Sequence, residues 1–451
     1  MKQKSLFKIT LFIFNFIILT SLNAQSPNPK NTTKTPITYN ELLKSASEHS
    51  YRLQVLNTDK NIETARKESL TSQYYPSFSL SYNNEYNKDL NEVTRGGESV
   101  GAAIISGGTG YKSSLSLNLN YELYHFGVTE KSIQMASSEV KVKDLLWCEE
   151  EKRLHQNILE TYNKALKMQL QNNKKSEILL LRKELYDIKQ RLYKAGQFSK
   201  LDLGDDAIKM IDTQREIEYA QMEYEDAVIS LNTLSHSSYN SNTITLLPIG
   251  YSSIKKVVSE FDETTEAHRY KEQILKKRHE ISMLKRSQLP TLSTYGNYYM
   301  FGAHDSVVMK SVKGTEPYSW KLGLALRINI FEGFKYNHEI QRLHYELDRL
   351  QQERDMQKYE HEHNAKQTTN KLFMLITLQN RDEALYEESN SKVNLVNRLK
   401  SARQVNGVDA LNAKLERLER SLNLEIDKTE AAYANASLDI QYRGVNQCTQ
   451  H

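Results

Sequence analysis

The chain has 451 residues, 39% of them hydrophobic and 26% charged, with 60 basic side chains against 56 acidic ones. Charges this balanced and interspersed argue against nucleic acid as a partner, and so polar a chain is no bundle of spanning helices, each of which needs about 20 apolar residues in a row. Two cysteines, 7 prolines and 17 glycines exclude a disulfide framework, a four-cysteine zinc site and collagen-like or proline-rich disorder.

Lys2, Lys4 and Lys8 precede an apolar run at 9–19, and Ser21 to Ala24 offer small residues before Gln25. This three-part pattern predicts a secretory signal peptide over 1–24. No cysteine follows the apolar run, so no lipid-acylation site is expected there. Residues 25–37, rich in Ser, Asn, Pro, Lys and Thr, predict an unstructured lead-in.

Helical spacing begins at 38 and stops at Pro76. The period then becomes two. Phe78, Leu80 and Tyr82 alternate with Ser77, Ser79 and Ser81, which predicts a strand over 77–87. A Gly-rich loop over 96–110 and a second alternating strand over 112–124 follow. Residues 128–195 then hold neither Pro nor Gly and predict one helix of about 100 Å at roughly 1.5 Å per residue. Gly196 suits a helix end. Ser199 suits an N-cap, with Asp202 three residues on, so a return helix is expected over 199–234. An equatorial insert spans 235–259. The plan then recurs: helix, Pro290, strands at 291–301 and 319–331, a long helix at 335–402, a turn at Asn406-Gly407, a return helix at 408–443 and a tail at 444–451.

The chain is therefore a duplication, with first repeat 38–234 and second repeat 260–443. An offset of 207 superposes Tyr124 on Phe331, Arg191 on Arg398, Asp202 on Asp409 and Glu223 on Glu430. Each strand has one apolar and one polar face, as a wall between lipid and a water-filled lumen requires. Four strands cannot close a barrel, and an open edge in lipid leaves backbone groups unsatisfied. Three copies would supply 12 strands. The predicted fold is mainly α with a membrane β-barrel part: a duplicated long-helix coiled-coil barrel plus four strands per chain, closed as a 12-stranded barrel in a trimer. Tyr75, Tyr111, Tyr121, Tyr124, Trp320 and Phe331 are placed at strand ends as an interfacial aromatic belt.

Some patterns have plain readings. His361 and His363 are two apart and face different sides of a helix, unlike an i,i+4 zinc pair, and His338 and His344 are no better spaced. Gly107 to Gly110 precede a strand rather than a helix, so they form no phosphate loop. Cys148 beside Trp147 suits helix packing, and Cys448 lies in the tail, with no spacing that pairs them. No nucleophile elbow or paired catalytic carboxylates occur. The expectation is no enzyme, no metal and no cofactor.

Gln73-Tyr74-Tyr75-Pro76 and Ser287-Gln288-Leu289-Pro290 precede strands. Leu123-Tyr124-His125-Phe126-Gly127 and Ile330-Phe331-Glu332-Gly333-Phe334 follow them, and the segment from Tyr193 through Gly196 to Leu203 forms the first turn. In this order, and found twice, these motifs resemble the TolC family of outer membrane efflux proteins over about 38–443. The resemblance implies a homotrimer in the bacterial outer membrane, in contact with its lipid, with the helical part in the periplasm. It also implies docking on a periplasmic membrane fusion (adaptor) protein and an inner-membrane pump of RND, ABC or MFS type. The function so implied is the exit channel of an efflux or type I secretion system. A periplasmic coiled-coil adaptor or scaffold without a barrel is the alternative, but it does not call for two Pro-strand-loop-strand units.

In the family the turns close the periplasmic entrance, and acids ring the constriction. Asp202 and Asp205 fall on this pattern in the first repeat, and Asp409 and Asn412 in the second. Arg403 stands where Gly is usual, and Asn412 replaces an acid. Two readings stand for Asp409 and Asp202: gate residue, or cap of the returning helix. Tyr193, Gly196, Phe198, Ser199, Asn406 and Gly407 are the candidate adaptor-docking residues.

Overall fold

The computed structural model describes residues 34–88, 109–250, 260–442 and 448. The expected signal peptide, the Gly-rich loop up to 108, positions 251–259 of the insert and most of the tail lie outside the described residues. In chain order the elements are β1 (Thr35–Ile37), α1 (Tyr39–His49), α2 (Tyr51–Thr71), β2 (Ser77–Asn87), β3 (Gly110–Tyr124), α3 (Val128–Lys194) and α4 (Lys200–Ser235). They continue with β4 (Ile244–Leu246), α5 (Thr265–Arg286), β5 (Thr291–His304), α6 (Val308–Lys313), β6 (Glu316–Arg327), α7 (Lys335–Ser401) and α8 (Gly407–Gln441).

α3 and α7 each have 67 residues, about 100 Å at roughly 1.5 Å per residue. Each leaves its strand through a left-handed pair: Phe126 and Gly127 (φ 46° and 76°) in the first repeat, Gly333 and Phe334 (φ 60° and 63°) in the second. Glycine takes this conformation without steric cost, and the pair holds it first in one place and then in the other.

α3 is the spine. α2 and α5 pack on its strand-proximal half, and α4 and α8 on the other, while α7 packs on α5 and α8. The helix order is thus α2-α3-α5-α7 in one half and α4-α3-α8-α7 in the other. A helix with neighbours on several sides cannot keep a single apolar stripe. Charges are interleaved along its seams: Lys60 with Asp144 (2.6 Å), Arg269 with Glu149 (2.6 Å), Lys276 with Glu139 (2.7 Å), Lys164 with Glu223 (2.6 Å) and Lys174 with Glu425 (3.1 Å).

β2, β3, β5 and β6 form one antiparallel sheet in that order. In register, Leu80 faces Leu117, Leu117 faces Tyr298 and Tyr298 faces Trp320, while Phe78, Leu119, Gly296 and Leu322 form the next apolar row. The opposite face carries Ser81 against Ser116 (Oγ to Oγ 2.7 Å), and Asn297 donates to Asn118 (2.6 Å). The apolar row is open to its surroundings: Phe78, Leu80, Trp320, Leu322, Leu324 and Leu326 are all exposed. α6 folds onto the sheet over Gly302, where a Cβ would stand 2.2 Å from the Ser311 carbonyl oxygen.

Four expectations are corrected. The lead-in is ordered at its end, because Thr35–Ile37 pairs in parallel with Ile244–Leu246. Gln169 of α3 holds the main chain of Leu246 from both ends (2.9 and 3.0 Å), and Tyr162 donates to the Leu247 and Ile37 carbonyls (2.6 and 3.0 Å). This small sheet, α1, α3 and α4 share the main buried cluster, with Leu42, Ile158, Tyr162, Leu166, Tyr224 and Leu231 at its centre. Second, the first helix is broken at Ser50, whose Oγ caps the Leu53 amide (3.4 Å). Third, β6 ends at Arg327 rather than 331. Its partner β5 starts at Thr291, opposite Arg327, and Pro290 before it has no N–H to donate. Fourth, the expected loop before β6 contains α6, and β6 begins at Glu316.

Candidate functional site at the helical tips

The long helices end in turns at 195–199 and 402–406. In the first, the Gln197 amide donates to the Leu192 carbonyl (2.9 Å) and the Gly196 amide to Tyr193 (2.9 Å), with Gly196 at φ 75°. In the second, Gln404 donates to Leu399 (2.9 Å) and Arg403 to Lys400 (3.0 Å), with Arg403 at φ 58°. Both are glycine-type helix ends, yet the second is made with an arginine.

The caps differ in chemistry. Ser199 Oγ accepts from the Asp202 amide (3.1 Å) and donates to the Asp202 carboxylate (2.6 Å). Asn406 accepts from the Asp409 amide (2.9 Å). The Asp202 carboxylate is therefore part of its cap. The Asp409 carboxylate is exposed and has no partner among the described residues. Asp205 and Asn412, one turn further along, are exposed as well. Over 191–205 the bases are Arg191, Lys194 and Lys200 and the acids Asp202 and Asp205. Over 398–412 the bases are Arg398, Lys400 and Arg403, and Asp409 stands as the one acid.

Phe198 is half-buried rather than projecting. Lys189 Nζ lies 5.5 Å above its ring and bridges to Asp206 (2.6 Å). Tyr193 (39% exposed) and Leu201 (76%) are the open apolar side chains of that turn. Gly196, Ser199 and Asn406 are exposed and Gly407 is half-buried. In the second repeat Val408, Leu411 and Leu415 are buried against Ile178 and Leu185 of α3. The tips of the two repeats are thereby brought together on one spine. The Lys189–Asp206 pair has no local signature in the sequence, since its members sit on either side of the turn.

The expected aromatic belt is divided. Tyr75, Tyr124 and Phe331 are exposed at the helix end of the sheet, with Tyr124 against Phe126 (4.8 Å) and Phe331 against Phe334 (5.5 Å). Tyr111 packs on Tyr86 at the far end (4.9 Å). Trp320 stands inside β6, in the apolar row opposite Tyr298, because the strand starts earlier than expected. Among the described residues no group of three or more His, Cys, Asp or Glu converges, and no helix is long and apolar enough to cross a membrane. The His361 ring packs between Phe261 and Tyr442 (5.6 and 5.0 Å).

No family model and no curated protein matches the chain. Solved structures do. The outer membrane protein VceC from Vibrio cholerae superposes with a TM-score of 0.74 at 12% identity, over 90% of this chain and 96% of that one. The CmeC outer membrane channel of Campylobacter jejuni gives 0.68 at 14%, over 90% and 85%. The open state of the MtrE outer membrane channel of Neisseria gonorrhoeae gives 0.60 at 13%, over 90% and 89%. CmeC and MtrE are described as outer membrane channels and VceC as an outer membrane protein. The duplicated long helices, the four-stranded sheet and the paired tips together have the fold of the TolC-family outer membrane channels.

Proposed function

We propose that three copies of the chain close into a 12-stranded outer-membrane barrel continued by a helical tunnel through the periplasm. The trimer is the exit channel of a tripartite efflux or type I secretion system, passing drugs, small toxic compounds or polypeptide. One observation carries this reading. The sheet pairs β2 and β6 on one side only, and its apolar face is open along its length. Lipid satisfies that face, but the free edges are satisfied only by another chain. The helical layers have the same need. α4 at one edge exposes Ile208, Ile211 and Met222, and α7 at the other exposes Met356, Phe373 and Met374. An adaptor protein would meet the tips, and an inner-membrane pump would supply the energy, since the channel performs no chemistry.

The decisive measurement is detergent extraction of the outer membrane followed by light scattering on the unboiled complex. A trimer confined to that fraction is expected, and a water-soluble monomer overturns the reading. Trp320→Asp would place a charge on the apolar face, at a cost per chain below the roughly 2–4 kcal/mol of an Arg or Lys at the midplane, and summed over three chains should reduce heat-resistant trimer. Normal trimer yield would reassign that face. In the trimer three Asp409 carboxylates would gather about the axis, where like charges repel and attract cations. Asp409→Ala should raise single-channel conductance or weaken block by divalent cations, and no change in either removes the gate role.

A further inference from the structure

The chain contains two cysteines, at positions 148 and 448, one in the first third of α3 and one in the C-terminal segment. The fold brings them together. Cys148 is 3% exposed and Cys448 5% exposed, Gln441 at the end of α8 lines one cavity with Glu149 and Glu150 of α3, and the Cys448 thiol is near enough to Cys148 to push its pKa up. The approach of the C-terminal segment is anchored nearby in the chain: Tyr442, just past α8, is 4% exposed and packs on His361 of α7 (5.0 Å).

We propose that Cys148 and Cys448 are joined as a disulfide in the mature protein, fastening the C-terminal segment to the spine helix. The bond would tie the end of the second repeat to the long helix of the first. For its oxidant the proposal rests on export of the chain, because disulfides persist in oxidising compartments and are rare in the cytosol. The step is thiol–disulfide exchange with an external disulfide, borne by a protein or a small molecule. One cysteine thiolate attacks a sulfur of that disulfide and releases its first thiol. The second cysteine, deprotonated in turn, displaces the remaining half and releases its second thiol. The two cysteines lose two electrons and two protons, and the external disulfide is reduced to two thiols.

The surroundings suit a structural bond. The neighbouring Cys448 thiol first, then burial and the negative charges of Asp144 and Glu151, push the Cys148 thiol pKa up. A buried thiol held protonated is a poor nucleophile, so exchange is fastest before the segment docks. Once closed, the bond is shielded from attack. It would also enclose nearly all of α3 to α8 in one covalent loop, and longer loops gain most from closure.

The test is acid quenching of cells, alkylation of free thiols with N-ethylmaleimide, and peptide mass spectrometry of the isolated protein with and without reductant. The expected result is a linked peptide pair containing Cys148 and Cys448 that separates on reduction. Non-reducing gels of the denatured monomer should show faster migration, lost in Cys448→Ser. Full alkylation of both cysteines in protein recovered from the outer membrane overturns the proposal, as does a Cys448 linkage between two chains. Should the protein be found inside the cell instead, the export reading fails separately. Purified reduced protein is then exposed to glutathione disulfide: a 148–448 link supports the pairing, and its absence overturns it.

Discussion

The two return helices, α4 and α8, leave the same kind of turn and are held by different forces. At the first tip α4 leans on α3 through Lys189 and Asp206, whose side chains are 13% and 12% exposed, with Phe198 beneath the lysine. An offset of 207 puts Val396 and Ala413 at those two positions in the second repeat. There the tip is apolar, with Val408, Leu411 and Leu415 buried on Ile178 and Leu185. The reason is the number of neighbours. α8 lies between α3 and α7 and has two faces to bury, whereas α4 meets α1 and the small sheet only at the end away from its tip, has α3 as its long neighbour, and keeps Ile208, Ile211 and Tyr219 exposed. Duplication copied the backbone plan, and the side chains then diverged with what each helix touches. Glu430 makes the same point. It sits where Glu223 sits in the first repeat, but it pairs with Lys167 of α3 and not with a residue of its own long helix.

Substitutions at the tips sharpen the contrast, beginning with the largest effect. Leu411→Ala should cost about 3 kcal/mol through lost burial and the cavity left behind, read by denaturant unfolding of the solubilised protein. A loss below about 1 kcal/mol, far under the range for buried leucine, would mean that this tip is not a packed one. Asp206→Ala should cost about 2 kcal/mol, because it leaves the Lys189 charge nearly buried without its partner. If the two variants were equal and small, the distinction between an ionic and an apolar tip would collapse. The turns themselves predict opposite signs. Gly196→Ala should lose about 1 kcal/mol, and Arg403→Gly should gain up to about 1 kcal/mol, since a side chain is disfavoured at positive φ. Thermal midpoints of the two variants moving in the same direction would contradict this.

The smallest expected effect depends on pH. Asp427 of α8 lies against Asp382 of α7, where the first repeat has Ala220 and Lys175, and Lys175 bridges to Glu216 (3.1 Å). Burial, then the Asp382 charge and a hydrogen bond with it, hold the Asp427 carboxyl above its ordinary 3.8, with Arg381 opposing and Glu430 adding. The folded state therefore binds this proton more tightly than the unfolded chain does. Its stabilisation is complete below the unfolded pKa and is lost as pH rises through the folded one. Asp427→Asn should raise the thermal midpoint at neutral pH and leave it unchanged in acid, and a gain that persists in acid would rule out titration as the cause.

Much of this architecture is legible in the sequence because its causes are local. Pro76 and Pro290 stop helices. Alternation marks β2, β3 and β6, and runs free of Pro and Gly mark α3 and α7. Ser199 with Asp202, and Asn406 with Asp409, announce the return helices. Each of these is decided by residues within a turn or two of one another. The candidate site is legible to the same extent: the turns and their acids can be placed, but which acid is engaged cannot. Ser199 supplies a hydroxyl that donates to Asp202, and Asn406 leaves the Asp409 carboxylate open.

Only the tertiary structure decided the rest. Strand β1 exists because Ile244–Leu246 and Gln169 supply partners from distant parts of the chain. Trp320 belongs to an apolar row because β5 sets the register of β6. Arg403 accepts a left-handed conformation because the turn between two docked helices requires one. Gln441 comes beside Glu149 and Glu150 because the end of α8 packs back on α3. In every case the partners are far apart in sequence, and spacing along a chain fixes which residues share a face but not which faces meet.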